Sequence, residues 1–117
     1  MAGSAERMSR VDTAWLRMDN DVNLMMIVGV WLLEPGITHD ALCRRVEDKL
    51  LKYERFRQRA VQDATGASWV EDPDFDVRRH VVQETLDRRS GQSVRDALQQ
   101  RAGELATTPL DHRHPLW

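Results

Sequence analysis

A single cysteine, Cys43, excludes an internal disulfide and any multi-cysteine metal site. It stands among Ala41, Leu42 and Val46 in a helical pattern, which reads as packing; a reactive thiol wants a cationic, exposed setting. An excess of one charge is also lacking. Seventeen basic residues face 19 acidic ones, a formal net charge of -2, so the totals carry no nucleic-acid footprint. The longest apolar run, Leu24 to Leu33, falls short of the roughly 20 residues that a membrane-spanning helix takes. Met1–Arg7 holds no apolar core of a signal peptide, and Gly3 stands one place too late for N-myristoylation. These absences set the expectation of a cytoplasmic chain without a transmembrane helix. None of the four histidines is adjacent to another. Internal repeats, low-complexity tracts and linkers are missing as well. With 41% hydrophobic and 31% charged residues the composition is globular, and residues 1–117 are expected to form one compact unit.

What is present reads as a mixed α/β pattern. Ser9 with Asp12 makes a helix start, and Val11, Ala14, Trp15 and Met18 recur at i, i+3, i+4 and i+7 on one face. Asp19-Asn20-Asp21 closes that helix, because such side chains compete for backbone hydrogen bonds. Leu24–Leu33 is apolar on both faces, is bounded by Asn23 and Glu34-Pro35-Gly36, and predicts a strand covered on both sides, the most buried element. Gly29 within it suggests a close approach or a bulge.

Thr38 caps the next helix, with Ile37 and Leu42 at staple positions and Leu42, Val46 and Leu50 as its buried stripe. Asp40–Arg44 and Asp48–Lys52 are candidate i, i+4 ion pairs. Phe56–Val61 predicts a strand, Asp63-Ala64-Thr65-Gly66 a turn, and Ala67–Glu71 the returning arm of a hairpin. Asp72-Pro73-Asp74 breaks the chain, and Phe75–Thr85 reads as extended. After a loop at Arg88–Gly91, Ser93 caps a helix with Asp96 at its third position and Val94, Leu98, Ala102 and Leu105 along one stripe. Thr107-Thr108-Pro109 ends it, since a residue before proline is pushed out of the helical region.

Several stretches, in this order and spacing, resemble the N-terminal portion of the bacterial wax ester synthase/acyl-CoA:diacylglycerol acyltransferase family. They are Asp12–Met18, Asn23–Ile27, Arg55–Arg59, Asp74–Val77 with His80-Val81, and Pro109-Leu110-Asp111 followed by Pro115-Leu116-Trp117. The resemblance implies a partial N-terminal lobe of a chloramphenicol-acetyltransferase-like fold, a mixed sheet flanked by helices, with the active site in a tunnel between two lobes. Full-length members join an acyl group from acyl-CoA to diacylglycerol or a long-chain alcohol. Acyl-CoA enters as co-substrate, and no separate cofactor is implied. In that family a Pro-Leu-Trp stretch precedes a His-His-x-x-x-Asp-Gly motif, whose second histidine takes the acceptor's proton. That motif does not occur here, so the chain is expected to be an incomplete lobe, inactive alone, in which no residue inherits a catalytic role. Peripheral contact with membranes or lipid inclusions fits the family's substrates. The peptide-synthetase condensation domain shares the motif, but Asp12–Met18 and Arg55–Arg59 favour the lipid family. A non-catalytic binding module derived from such an enzyme is the rival reading.

Individual residues carry weaker expectations. His112 and His114 lack further Cys or His partners for zinc and are read as surface or lobe-packing groups. Pro115, Leu116 and Trp117 form the structural motif, read as the start of a strand with a frayed end at Trp117. Arg55, Arg57 and Arg59 would share one face of a strand. There they could meet CoA phosphates, or make a solvated basic face partnered by Asp72, Asp74 or Asp76. His80 is assigned a structural role, and Met25-Met26 core packing, with contact to an acyl chain as the functional alternative. No cofactor-binding residue and no metal ligand is assigned.

Overall fold

The computed structural model describes residues 5–117; the first four residues of the leader reading, Gly3 included, lie outside the described residues. Where the sequence signals are local, the elements form where expected. Helix α1 (Arg10–Met18) starts at Ser9, whose side chain accepts from the Asp12 N–H. Helix α2 (His39–Lys49) starts at Thr38, accepting from Ala41, and helix α4 (Val94–Ala106) at Ser93, accepting from Asp96. Each cap satisfies one of the N–H groups that a helix start leaves without a partner. Between α2 and α4 lies a one-turn helix, α3 (Val77–His80), capped by Asp76.

Among the described residues the sheet has three antiparallel strands in the order β1-β3-β2. Strand β2 (Gln58–Asp63) and β3 (Gly66–Glu71) form the hairpin, in register from Gln58 opposite Glu71 to Asp63 opposite Gly66. Strand β1 (Glu6–Arg7) adds to the far edge of β3. The turn is built by Asp63, whose carboxylate accepts from the N–H and hydroxyl of Thr65. Gly66 follows at φ +149°, in the region that favours glycine.

Two small cores result. Met8, Leu16, Ala60 and Ala67 make one, with Trp69 and Leu116 against it. Cys43, Val77 and Val81 make the other, with Val46, Phe75 and Trp117 among those packed on it. Cys43, 2% exposed, is a packing residue as its surroundings in sequence imply. The molecule measures 53 × 34 × 20 Å, with a radius of gyration of 16.9 Å. A compact domain of 100 residues would have about 13 Å. It is open and flat.

Five expectations are corrected. Leu24–Leu33 is not a buried strand: it has no ladder partner among the described residues, and Ile27 is 99% exposed. Its two-sided apolar pattern states a demand for cover that these residues do not supply. On α1 the inward residue is Leu16, while Val11, Trp15 and Met18 point outward, because the β1–β3 surface meets the opposite side of the helix. Leu42 is likewise turned out, with Cys43 as the buried contact of α2. Asp40 pairs with Arg78 at 2.7 Å rather than with Arg44, whose Nε donates to the Asp40 carbonyl, and Lys52 lies over the Tyr53 ring instead of meeting Asp48. Phe56 belongs to a 3-10 turn over Glu54–Arg57, and Phe75–Thr85 contains α3, so neither stretch is extended throughout.

Candidate functional site

The C-terminal stretch Pro109–Trp117 runs across both cores and ties them together. Leu116 packs on the sheet-side core and Trp117 on the helix-side one, while Pro115 before them is buried. No strand forms at these residues, and Trp117 is held by specific contacts. Its indole N–H donates to the Phe56 carbonyl at 2.8 Å, and its ring stacks on His80 at 4.4 Å and meets Phe56 edge-on at 6.1 Å. His80 is in turn stacked on Phe75 at 5.2 Å. Its Nδ1 lies 2.6 Å from the Trp117 carbonyl; an oxygen that can only accept requires Nδ1 to carry the hydrogen. The expectation of a structural His80 thus has a concrete form, a ring clamped between two aromatics and hydrogen-bonded to the backbone it positions.

Both histidines before Pro115 are held by aspartates distant in sequence. His114 Nδ1 is 2.9 Å from Asp72 Oδ2, and Asp72 is 5% exposed. The other Asp72 oxygen accepts from the Asp74 N–H at 3.0 Å, and the Asp72 N–H donates to the Arg57 carbonyl at 2.9 Å. Burial raises the Asp72 carboxyl, yet the bonds from His114 and Asp74 outweigh it and hold the group below the usual carboxylate range. His112 Nε2 is 3.0 Å from Asp19 Oδ2, whose second oxygen accepts from the Met25 N–H at 2.8 Å. The same aspartate therefore links the C-terminal stretch to the start of the apolar segment. The bond from Asp72 to His114 escaped the sequence reading, where Asp72 marked a break and a possible partner for the arginines. The sole cue was an acidic residue directly after a hairpin arm.

A cleft of about 760 Å³ opens beside this stretch, lined by Arg59, Asp72, Arg79, His80 and His114 among others. A second, apolar groove of about 540 Å³ has Leu24–Val28 on one side and Leu110 and Leu116 on the other. Met25 and Met26 line that groove and do not sit in either core. The three arginines are not brought together. Arg55 lies over the Trp69 ring at 4.3 Å and pairs with Glu6; Arg57 pairs with Glu71 and donates to the Leu51 carbonyl; only Arg59 faces the cleft. Their shared face required a strand, and the 3-10 turn at Glu54–Arg57 rotates the first two away. Nor are Asp72, Asp74 and Asp76 their ion-pair partners, since Asp72 serves His114 and Asp76 caps α3.

The cleft's charged groups are mostly spent on one another. Arg113 holds Asp111 at 2.8 Å and keeps its carboxyl well below the ordinary value. Arg79 reaches the Asp74 carbonyl and the His114 ring. Such pairing fixes the Pro-Leu-Trp stretch in place. Among the described residues no three His, Cys, Asp or Glu side chains are grouped to hold a metal ion.

Comparison with known proteins adds the following. The profile of the wax ester synthase/diacylglycerol acyltransferase catalytic domain matches residues 8–117. A protein named probable diacylglycerol O-acyltransferase tgs3, from Mycobacterium tuberculosis strains CDC 1551 and H37Rv, is 30% identical over 118 residues. The match takes in 95% of this chain and 42% of the length of those relatives. No solved structure matches.

Proposed function

The chain belongs to the wax ester synthase/diacylglycerol acyltransferase family, and we propose that it serves as the early part of the first lobe of an acyl-CoA-dependent O-acyltransferase. In this reading the fold is the chloramphenicol-acetyltransferase type, acyl-CoA is the donor, and diacylglycerol or a long-chain alcohol is the acceptor. The observation that carries it is the anchoring of Pro115-Leu116-Trp117 by His114–Asp72, the His80 stack and the Phe56 carbonyl. An alcohol attacks a thioester only as a base removes its proton, and the oxyanion that forms needs fixed donors. Positioning by a packed, hydrogen-bonded ramp is how such a base is held within the narrow tolerance that catalysis needs.

The role of these 117 residues is therefore positioning, and alone they turn over no substrate. The family's lipid substrates favour peripheral contact with membranes or lipid inclusions; no helix among the described residues is long and apolar enough to cross a membrane. The test is release of free CoA from an acyl-CoA with diacylglycerol present. The purified chain is expected to stay at background. When Trp117 is joined to the part of the M. tuberculosis relative that follows its matched region, release is expected to rise and ester to form. Turnover by the chain alone would overturn the positioning role, and a folded joined protein without transfer would overturn the acyltransferase reading.

A further inference from the structure

From Val22 to Leu33 the sequence carries no charged residue, yet here stand the most exposed large apolar side chains among the described residues: Ile27 at 99%, Val22 at 96%, Trp31 at 86% and Leu32 at 82%. Past Met25, no backbone group of Met26–Leu33 is hydrogen-bonded to the other described residues. The segment thus has two needs at once. Its N–H and C=O groups lack ladder partners, and cover is missing over most of both faces, Met26 alone being half-buried.

These needs discriminate between occupants. A lipid surface offers no hydrogen bonds to an unpaired backbone and covers only one face. A second copy paired through the same edge would complete one ladder and leave both faces in water. A piece of sheet bringing its own flanking layers meets both needs. We propose that Met26–Leu33 is the docking strand for the portion of the acyltransferase domain that the relatives carry outside the matched region, which pairs along it and covers both faces.

This inference rests on the family reading above, and two observations favour that occupant. The match covers 42% of the relatives' length, so the larger share of theirs lies outside it. The segment's entry is also held, not loose: Asp19 ties Met25 to His112, and Leu24–Val28 form one wall of the groove beside Leu116. On pairing, Ile27, Trp31 and Leu33 would fill one face, and Met26, Val28, Val30 and Leu32 the other.

Amide exchange at Met26–Leu33 tests this, measured in the free chain and in the polypeptide that joins Trp117 to the relative's remaining portion. The free chain, kept below the concentration at which it associates, is expected to exchange there as an open peptide. In the joined protein exchange is expected to slow by about 100-fold or more, and Ile27→Asp with Trp31→Asp to abolish the protection. A soluble joined protein with an open segment overturns the proposal. So does equal protection of the free chain as a discrete dimer, which assigns the site to a second copy. Equal protection by phosphatidylglycerol vesicles would assign it to lipid instead. If the joined protein is insoluble, the two parts are mixed as separate chains and read in the same way. Acyl transfer is recorded separately: protection without transfer fails the functional reading and leaves the docking strand standing.

Discussion

Asp72 is the residue on which most of the site turns. Its folded carboxyl titrates below the ordinary value, so its stabilisation is fully present above the unfolded value of about 3.9 and is lost as pH falls through the folded one. Asp72→Asn keeps the shape but removes this dependence. It is expected to cost about 1–3 kcal/mol at pH 7 and less at pH 3, where the unsubstituted protein has begun to lose the carboxylate's contribution. Urea midpoints of both proteins at the two pH values check this; an equal loss on acidification in the variant would contradict it. Trp117 separates two contributions in the same way. Trp117→Phe keeps an aromatic on His80 but loses the indole bond to Phe56, about 1 kcal/mol. Trp117→Ala removes the stack as well and is expected to cost about 3 kcal/mol, read from the same denaturation midpoints.

At the scale of elements, the caps and the hairpin turn were legible because each is decided within four or five residues. Ser9, Thr38 and Ser93 each accept an N–H three places on, as their position before an apolar pattern implies. Ser93→Ala is therefore expected to destabilise α4 by about 1 kcal/mol, seen as lost helical ellipticity on mild heating. Gly66 is the harder constraint. A side chain there would force the +149° backbone and would sit 2.8 Å from the Arg7 guanidinium, which holds Asp63 and Thr65. Gly66→Ala is expected to cost about 1–3 kcal/mol and to loosen β1, measurable as faster amide exchange at Met8, whose N–H bonds Ala67. Which face of α1 and α2 turns inward was not legible. Both helices offer apolar residues on more than one side, and the sheet and α3 choose between them.

Across the whole molecule, the exposed apolar segment dominates behaviour in solution. Exposed patches of this kind drive association, and an unpaired extended segment offers backbone groups to any neighbour. The free chain is expected to grow in apparent mass with concentration, by light scattering, without stopping at a dimer. Ile27→Asp with Trp31→Asp is expected to shift that onset to clearly higher concentration. A discrete dimer at all concentrations would show that a second copy satisfies the segment.

The sequence by itself determined the starts of α1, α2 and α4, the hairpin with its turn, the packing role of Cys43 and the ordered stretches that mark the family. Each of these depends on neighbours a few residues away, or on order along the chain. Only the tertiary structure decided that His114 finds Asp72 across 42 residues, that Trp117 finds Phe56 across 61, and that His112 finds Asp19 across 93. It decided as well that most of Leu24–Leu33, Ile27, Trp31 and Leu32 above all, lies bare. An apolar pattern records how much cover a segment requires, whereas burial depends on which other parts of the chain fold over it, and that is settled only in three dimensions.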